Sequence, residues 1–336
     1  MLRTRLCNLF GIEFPIIQAG MGVFTSAELV AAVSNAGGLG SLGTGLRPVE
    51  SLKSALLLRP LPVYASLKEE LPRIRQLTNR PFAVNYTLAQ PNEEIFNLIL
   101  EVKPPIISFA LGDPGDLVKR AHAAGSLVIH QVGTVQQAKQ AAERGVDVII
   151  AQGSESGGFS GSVAALALIP QVVDAVRPIP VVASGGIADG RGLAAALILG
   201  AQGINIGTRF LASVEAPISE IWKKAIISAN SQDAVKVEVW NDIFPRRAAA
   251  YDTVPRAIHT PFIEKWQKSR QAAQRDAERL RAEVISAIQQ GKMEEFIPWA
   301  GQTVGLVHEV LPAAEILRRI VSEAEEVLEN ATNTLN

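Results

Sequence analysis

Two glycine-rich loops carry the most specific chemical pattern in the sequence. Residues 183–187 read ASGGI directly after an apolar segment, and residues 205–210 read NIGTRF after the next one. Glycines let backbone N–H groups approach an anion closely, and the Thr208 hydroxyl adds a further donor. Tight strand-to-helix turns would also place glycines here, but two consecutive loops of this type favour a phosphate site. A helix beginning near Gly190 would add its dipole.

A third cluster and two shorter features would border the same site. Residues 151–161 read AQGSESGGFSG, and their glycines would let this loop fold over a flat ligand; the alternative is a flexible surface loop. Residues 18–21 read QAGM, with small residues against which a planar ring can lie. Asn85 offers an amide that both donates and accepts hydrogen bonds. The sequence therefore predicts a ligand site with a phosphate-binding end.

Parallel strands would bring these loops to one edge of a sheet, and the rhythm of the chain predicts such strands. Short β-rich segments alternate with helical patterns, as in βα units. Eight strands by about residue 210 match a closed (β/α)₈ TIM barrel, and a doubly wound open sheet is the alternative. The predicted strands are 15–20, 38–45, 82–88, 106–111, 127–132, 146–152, 180–184 and 203–207, and the predicted helices are 26–37, 48–58, 67–77, 92–102, 116–124, 135–144, 163–176 and 190–199.

The chain is longer than one barrel requires. It has 336 residues, whereas a (β/α)₈ barrel uses roughly 250. After residue 210 the rhythm breaks, and residues 213–295 are richer in charge and read mostly as helix. Residues 311–328 are amphipathic again and suit the last barrel helix. We therefore predict a barrel of residues 1–212 and 296–336, with a small, mostly helical inserted domain of residues 213–295 over its active-site face.

Composition excludes several classes of protein. The chain has 32 Lys and Arg residues and 33 Asp and Glu residues, so it lacks the excess of basic residues that is typical of a nucleic-acid-binding protein. Cys7 is the only cysteine, which we expect to be a small packed residue, with no disulfide framework and no thiol cluster for a metal. Apolar runs fall below the roughly 18 residues of a membrane span. We predict a cytoplasmic protein without a membrane partner; residues 262–290 predict a solvated helix face or, alternatively, a homodimer contact.

At these residues the sequence resembles the nitronate monooxygenase family, which includes related FMN-dependent enoyl-acyl-carrier-protein reductases. The matching motifs occur in the family's order across nearly the whole chain. Together they are specific to the family, although no single motif is. It implies a TIM barrel with a small inserted domain and FMN held between the two. The motifs that carry it are IIQAGMG, PFAVN, AQGSESGG, ASGGIADGRGLAAALILGA, INIGTRF, AGQTVGL and LPAAEILRRIV.

The resemblance also implies roles for individual residues. Three groups of positions match the family motifs: those near the flavin ring or ribityl chain, those near its phosphate, and those near its reactive part. Gln302, in AGQTVGL, would return towards the cofactor. The ring and ribityl set is Asn85, Gln152 and Gly157; the phosphate set is Gly185, Gly186, Gly207 and Thr208, with Asn205 and Ile206 lining the same loop; the reactive-part set is Gln18, Ala19, Gly20 and Met21. Gln131 and Ser184 are two further expected cofactor-binding positions.

One departure from the family pattern bears directly on the reaction. Family members usually read GGH in the loop after strand six, and that His handles protons, whereas this sequence has Phe159 there. A phenyl ring is neither acid nor base, while a positioned His typically contributes about 10²–10⁴-fold. Some members also carry Lys at the position of Gln131. The sequence therefore predicts a site that lacks the family's usual proton-transfer residue.

His130 is the best substitute, because it lies near the end of predicted strand five. The alternative, which we weight higher, is a structural His satisfied by backbone groups. His259 in the insertion is a minority candidate. We expect His122 to be exposed and His308 to lie near the barrel exterior. Tyr86 and Tyr251 could donate a proton, but a phenol with a pKa near 10 is a poor base at neutral pH.

These observations leave three functions open. The first is FMN-dependent oxidation of alkyl nitronates with dioxygen, which needs no base because a nitronate is already deprotonated. The second is reduction of an enoyl compound by NAD(P)H through FMN, which needs a proton donor. The third is a flavin-binding protein with altered catalysis. The first is our principal prediction, with a nitronate or an enoyl compound as the small-molecule substrate.

Overall fold

Eight parallel strands form the centre of the molecule. A computed structural model of the protein describes residues 2–49, 65–245 and 250–334. The strands are β1 (Ile16–Gln18), β2 (Gly40–Gly43), β3 (Phe82–Thr87), β4 (Ile106–Ala110), β5 (Leu127–Val132), β6 (Val148–Gln152), β8 (Val181–Ser184) and β9 (Ile204–Ile206). In the sheet they follow the order β1-β9-β8-β6-β5-β4-β3-β2.

The two end strands of this sheet meet and close it into a barrel. Ile17 and Leu39 form a parallel bridge, and the Leu39 amide donates to the Ile16 carbonyl at 2.9 Å. Each of the eight predicted strands overlaps one observed strand to within three residues at either end. The TIM barrel is confirmed, and the doubly wound alternative is wrong because an open sheet has no such closing contact.

Seven helices follow the strands in turn, and a last one completes the ring. The first begins after Ser26, whose hydroxyl accepts a hydrogen bond from the Leu29 amide, as an N-cap does. The predicted helix at residues 48–58 falls almost entirely outside the described residues. The barrel helices are α2 (Ala27–Asn35), α3 (Leu67–Leu77), α4 (Glu93–Val102), α5 (Leu117–Ala123), α6 (Val135–Glu143), α7 (Ala165–Val176), α8 (Gly190–Ile198) and α15 (Ala313–Thr334).

A short N-terminal helix, α1 (Arg5–Phe10), closes one end of the barrel. Leu6, Cys7 and Phe10 are buried and pack with inward-facing strand residues such as Ile106 and Ile150. Cys7 is a free thiol inside this cluster. Packing of this end leaves the opposite, C-terminal ends of the strands as the open face of the barrel, where barrel sites are built.

Between β9 and α15 the chain forms helices and a small second sheet. The predicted long helical run at 262–290 is three helices, because turns at Ser269 and Asp276 let each piece bury its own apolar side. The domain boundaries at 212 and 296 stay a prediction. The elements are α9 (Thr208–Leu211), α10 (Glu220–Ser228), β10 (Ala234–Lys236), α11 (Val239–Ile243), β11 (Val254–Ile258), α12 (Pro261–Lys268), α13 (Arg270–Arg275) and α14 (Ala277–Gln289).

The segment after β6 differs from its expected form. Instead of a loop throughout, it contains β7 (Gly158–Ser160), which pairs antiparallel with β11 and places Phe159 opposite Pro255. The second sheet therefore has the order β10-β11-β7 and contains one strand contributed from outside the segment between β9 and α15. No helix in the described part of the chain is both long and apolar enough to cross a membrane.

Candidate active site

A cavity of about 340 Å³ lies at the C-terminal ends of the barrel strands, beneath the segment between β9 and α15. Its floor comes from strand ends, and its upper wall includes Trp240, Phe244 and Trp299. Fifteen of the eighteen site residues proposed from the sequence line it. They are Ala19, Gly20, Met21, Asn85, Gln131, Gln152, Gly157, Phe159, Ser184, Gly185, Gly186, Asn205, Ile206, Gly207 and Thr208.

Three amide side chains reach the cavity from the ends of β3, β5 and β6. Asn85 Nδ2 makes only long contacts of 3.4 Å, to the carbonyl and hydroxyl oxygens of Ser108. Gln131 and Gln152 are partly buried, and within the described residues their side-chain amides have no hydrogen-bond partner. Partly buried amides without a partner favour a ligand that offers both donors and acceptors at this edge.

The glycine-rich loops after β8 and β9 lie side by side in the cavity wall. Gly185 and Gly186 have φ of +91° and +74°, a conformation that L side chains rarely adopt. The Ser184 hydroxyl donates to the Asn205 carbonyl at 2.8 Å and thereby ties the two loops together. The Thr208 hydroxyl accepts from the Gly301 amide at 2.9 Å, which leaves its own proton available for a ligand. The wall presents backbone and hydroxyl groups suited to an anion.

The N-terminus of the helix after these glycines is already capped by an acidic side chain. α8 begins at Gly190, but Asp189 caps it, because its carboxylate accepts from the Gly192 amide at 3.2 Å. Arg191 forms an ion pair with the same carboxylate. The partial positive charge at this helix end is therefore already matched by a protein anion.

A glycine lets the end of β1 approach the end of β3 closely. A Cβ built on Gly20 would lie 2.3 Å from Asn85 Cβ, so this close approach requires glycine. Gln18 differs from its expected role. It is fully buried, and its side chain bonds to the backbone of Ser41 at 3.0 and 3.1 Å. Gln18 ties β1 to β2 where the barrel closes and does not line the cavity.

Gln302 and its neighbours approach from the segment before α15. The backbone N–H of Gln302 donates to the backbone carbonyl of Glu155 at 2.9 Å, which ties this segment to the loop after β6. Gln302 itself is absent from the cavity lining, whereas Thr303 and Trp299 contribute to it. The AGQTVGL motif thus reaches the site, although not through the residue singled out from the sequence.

Phe159 stands in a wall of aromatic rings. Its ring centroid lies 5.6 Å from that of Trp240 and 5.4 Å from that of Trp299, both edge-on. Trp240 also stacks on Phe244 at 4.3 Å. We call these four residues, Phe159, Trp240, Phe244 and Trp299, the aromatic wall. Phe159 is therefore packed on other rings, which supports a shaping role and not a proton-transfer role.

Two cations hold β7 in place. Lys236 Nζ donates to the Ser160 hydroxyl at 2.5 Å and to the carbonyls of Val254 at 3.0 Å and Ser160 at 3.2 Å. Arg256 donates to the Ser154 carbonyl at 3.0 Å and to the Ala234 carbonyl at 2.6 Å. Burial, with help from Arg256, lowers the pKa of Lys236 to about 8. Both cations are committed to oxygens of the protein and neither lines the cavity.

Within the described residues, no Asp, Glu, Lys, Arg, His, Tyr or Cys side chain lines the cavity. This part of the wall can bind, orient and exclude water, but it cannot transfer a proton. Redox or acid–base chemistry here would have to come from a bound group or from the substrate itself.

His130, the proposed substitute base, is fully buried and does not line the cavity. Its Nδ1 lies 3.2 Å from the Phe109 carbonyl, and its Nε2 lies 2.9 Å from the Tyr251 hydroxyl. A neutral ring that donates from Nδ1 and accepts at Nε2 satisfies both contacts. Burial lowers the pKa of His130 to about 4. His130 thus fits the structural role that the sequence analysis weighted higher.

The remaining proton-transfer candidates also lie away from the cavity. His122 is exposed and 2.9 Å from Asp147, and His259 and His308 are exposed. The Tyr86 hydroxyl donates to the Asn92 carbonyl at 3.0 Å, and burial raises the pKa of Tyr86. Desolvation likewise raises the pKa of Tyr251. None of them meets the geometric requirement for a general base, which is hydrogen-bond reach of a bound substrate.

The fold and cavity define a class: an α/β-barrel protein with a ligand site at the strand ends, covered by a segment that follows the last strand. Comparisons narrow this class. A sequence profile of the nitronate monooxygenase family matches residues 3–323. The chain therefore belongs to the nitronate monooxygenase family, and it is an oxidoreductase.

Relatives align with the chain over nearly its whole length. It is 32% identical to (3aS,4S,5R,7aS)-5-hydroxy-7a-methyl-1-oxo-octahydro-1H-indene-4-carboxyl-CoA dehydrogenase of Rhodococcus jostii, covering 96% of each chain. It is 30% identical to a probable nitronate monooxygenase of Staphylococcus aureus, over 97% of this chain and 99% of that one. Among solved structures, FabK from Thermotoga maritima matches with a TM-score of 0.85 and 33% identity, over 99% of this chain and 100% of that one.

The low pKa of His130 predicts a specific acid sensitivity. Between pH about 6.5 and 4 the unfolded chain takes up a proton at this ring that the folded protein does not. The free energy of unfolding should therefore fall over that window, by on the order of 2–3 kcal/mol. Urea unfolding at a series of pH values measures the fall. His130→Asn should flatten it and His122→Asn should not; an unchanged profile in His130→Asn would contradict this assignment.

Proposed function

We propose that this protein is an FMN-dependent oxidoreductase that oxidises alkyl nitronates with dioxygen. One observation carries the proposal: the described wall offers amides and a glycine-rich anion cradle, yet no side chain that can remove a proton. A nitronate arrives already deprotonated and needs no such residue. A neutral nitroalkane, an acyl thioester to be dehydrogenated or an enoyl thioester to be reduced would each need a proton moved.

The fit of FMN rests on two kinds of polar group in the cavity wall. The side-chain amides of Gln131 and Gln152, which have no partner among the described residues, suit the edge of a flavin ring, which alternates donors and acceptors. The loops after β8 and β9, of which the first directly follows the register partner of Gln152, present backbone at Gly185, Gly186 and Gly207 that suits a phosphate. In our proposal the phosphate is bound through the N–H and O–H donors of these loops. FMN, when bound, would supply the electron transfer to dioxygen.

Each wall of the cavity has a distinct task in this proposal. Asn85, Gln131 and Gln152 orient the ring, and Ala19, Gly20 and Met21 let it lie flat against the end of β1. The Thr208 hydroxyl donates a hydrogen bond to the phosphate. The aromatic wall excludes water from the space above the ring. The named activity of the Staphylococcus aureus relative, a probable nitronate monooxygenase, supports the choice of substrate.

Flavin binding is the first consequence to test. The purified protein should show flavin absorption bands, either as isolated or after addition of FMN. Replacing Gln131 with Met keeps the size of the side chain and removes a hydrogen-bonding group, so the Kd for FMN should rise about three- to tenfold. Fluorescence quenching of FMN during titration measures the Kd. Gln171→Met, on the exposed face of α7, is the matched control, and no binding by the unaltered protein would refute the cofactor.

The lack of a base among the described lining residues predicts a preference between two forms of one substrate. Preformed ethyl nitronate should be oxidised with much higher kcat/KM than neutral nitroethane, at a pH where the two interconvert slowly. Phe159→His should raise kcat/KM for nitroethane at least about tenfold, within the range of a general base, and change that for the nitronate little. Oxygen consumption measures both rates. Equal turnover of both forms by the unaltered enzyme would count against the proposal.

A second candidate is an NAD(P)H-dependent flavin reductase that acts on an enoyl compound. The similarity to the solved FabK structure and to a CoA-ester dehydrogenase favours it. Anaerobic mixing separates the candidates: rapid bleaching of the flavin by NADH or NADPH would support the reductase. We expect bleaching by ethyl nitronate and slow bleaching by either nucleotide. Bleaching by neither substrate class would indicate a flavin-binding protein with altered catalysis.

A further inference from the structure

The aromatic wall occupies the side of the cavity that faces away from the barrel. Its four rings come from separate places: β7, the α11 segment and the segment before α15. Trp240 is 7% exposed even though it borders the cavity, because its stacking partner Phe244 covers one face of its ring. The rings support one another at centroid distances of 4.3 to 5.6 Å.

The wall offers mainly carbon, because two of its four rings are phenyl groups and the nitrogen of a third ring is buried. Trp299 Nε1 is buried and has no hydrogen-bond partner within the described residues, so this indole N–H is not presented to the cavity. Leu46, Leu111 and Ile187 line the same cavity and extend its apolar surface. An apolar surface of this kind stabilises a ligand in proportion to the carbon that it removes from water.

Two cations lie behind β7 and do not face the cavity. Lys236 and Arg256 donate to protein carbonyls and are not part of the described lining. The rings and aliphatic side chains of this wall therefore favour a hydrocarbon body.

We propose that the aromatic wall selects nitronates whose reacting carbon carries a long alkyl or an aryl group, with Phe159, Trp240, Phe244 and Trp299 as specificity-determining residues. This rests on the proposed function, because it assigns the substrate class of the same site. The nitronate group lies towards the strand ends, and the hydrocarbon body lies along the rings. Trp240 is the central member, since its ring contacts all three of the others.

The test is a series of primary nitronates from ethyl to octyl. With the unaltered holoenzyme, kcat/KM should rise by up to about fourfold per methylene until the wall is covered, the factor that corresponds to about 0.8 kcal/mol. Phe244→Ala should reduce this factor towards one. Phe262→Ala is the matched control, because Phe262 is also a partly buried phenyl, on α12, that packs on Trp266 and Phe296 outside the cavity. A flat series, or an unchanged slope in Phe244→Ala, would overturn the proposal.

A second measurement separates this inference from the proposed reaction. Primary alkyl carboxamides of increasing length are unreactive and uncharged, and their binding can be followed by quenching of Trp240 and Trp299 fluorescence. Affinity should rise with chain length in the unaltered protein and in Phe262→Ala, but not in Phe244→Ala. If no nitronate is oxidised yet this pattern appears, the proposed reaction fails and the apolar selectivity stands. Amide affinity that is independent of chain length would refute the selectivity itself.

Discussion

The pairing of β7 with β11 is the contact on which the architecture of the candidate site depends. It attaches the segment after β6 to the segment that follows β9, so the barrel and its cover share one three-stranded sheet. Lys236, on β10, and Arg256, on β11, stabilise the pairing because they donate to the carbonyls of Ser160 and Ser154 in the segment after β6. Without it, neither the position of Phe159 nor the aromatic wall would be defined.

Much of the barrel could be predicted because its signals are local. Apolar strands alternating with capped helices fix the eight βα units, and glycines at strand ends mark the loops that turn into helices. The cavity residues of β3, β5, β6, β8 and β9 follow from that pattern, since carboxyl ends of parallel strands meet at one face. The family resemblance suggested a role for each of these residues, and those roles remain proposals.

The rest depends on contacts between distant parts of the chain. Pro255 argues against a central strand, yet it lies within β11, the central strand of the second sheet, opposite Phe159. Gln18 ends a strand like the cavity residues do, but its amide is used to join β1 to β2. Trp240, Phe244 and Trp299 carry no local signal for the site, because only the folding of the segment after β9 over the barrel brings them to it.

Lys236 and Arg256 show why a charged side chain near a site need not take part in catalysis. Lys236, with its pKa lowered to about 8, would be a plausible acid if it faced the cavity. Its Nζ instead donates hydrogen bonds to oxygens of Ser160, Gly161 and Val254, and these bonds position β7. The lowered pKa results from burial that serves structure. The same reasoning applies to His130, whose two ring nitrogens are satisfied by Phe109 and Tyr251. Two perturbed groups near the cavity thus fix its shape, and the described wall is left to select substrates by their hydrocarbon.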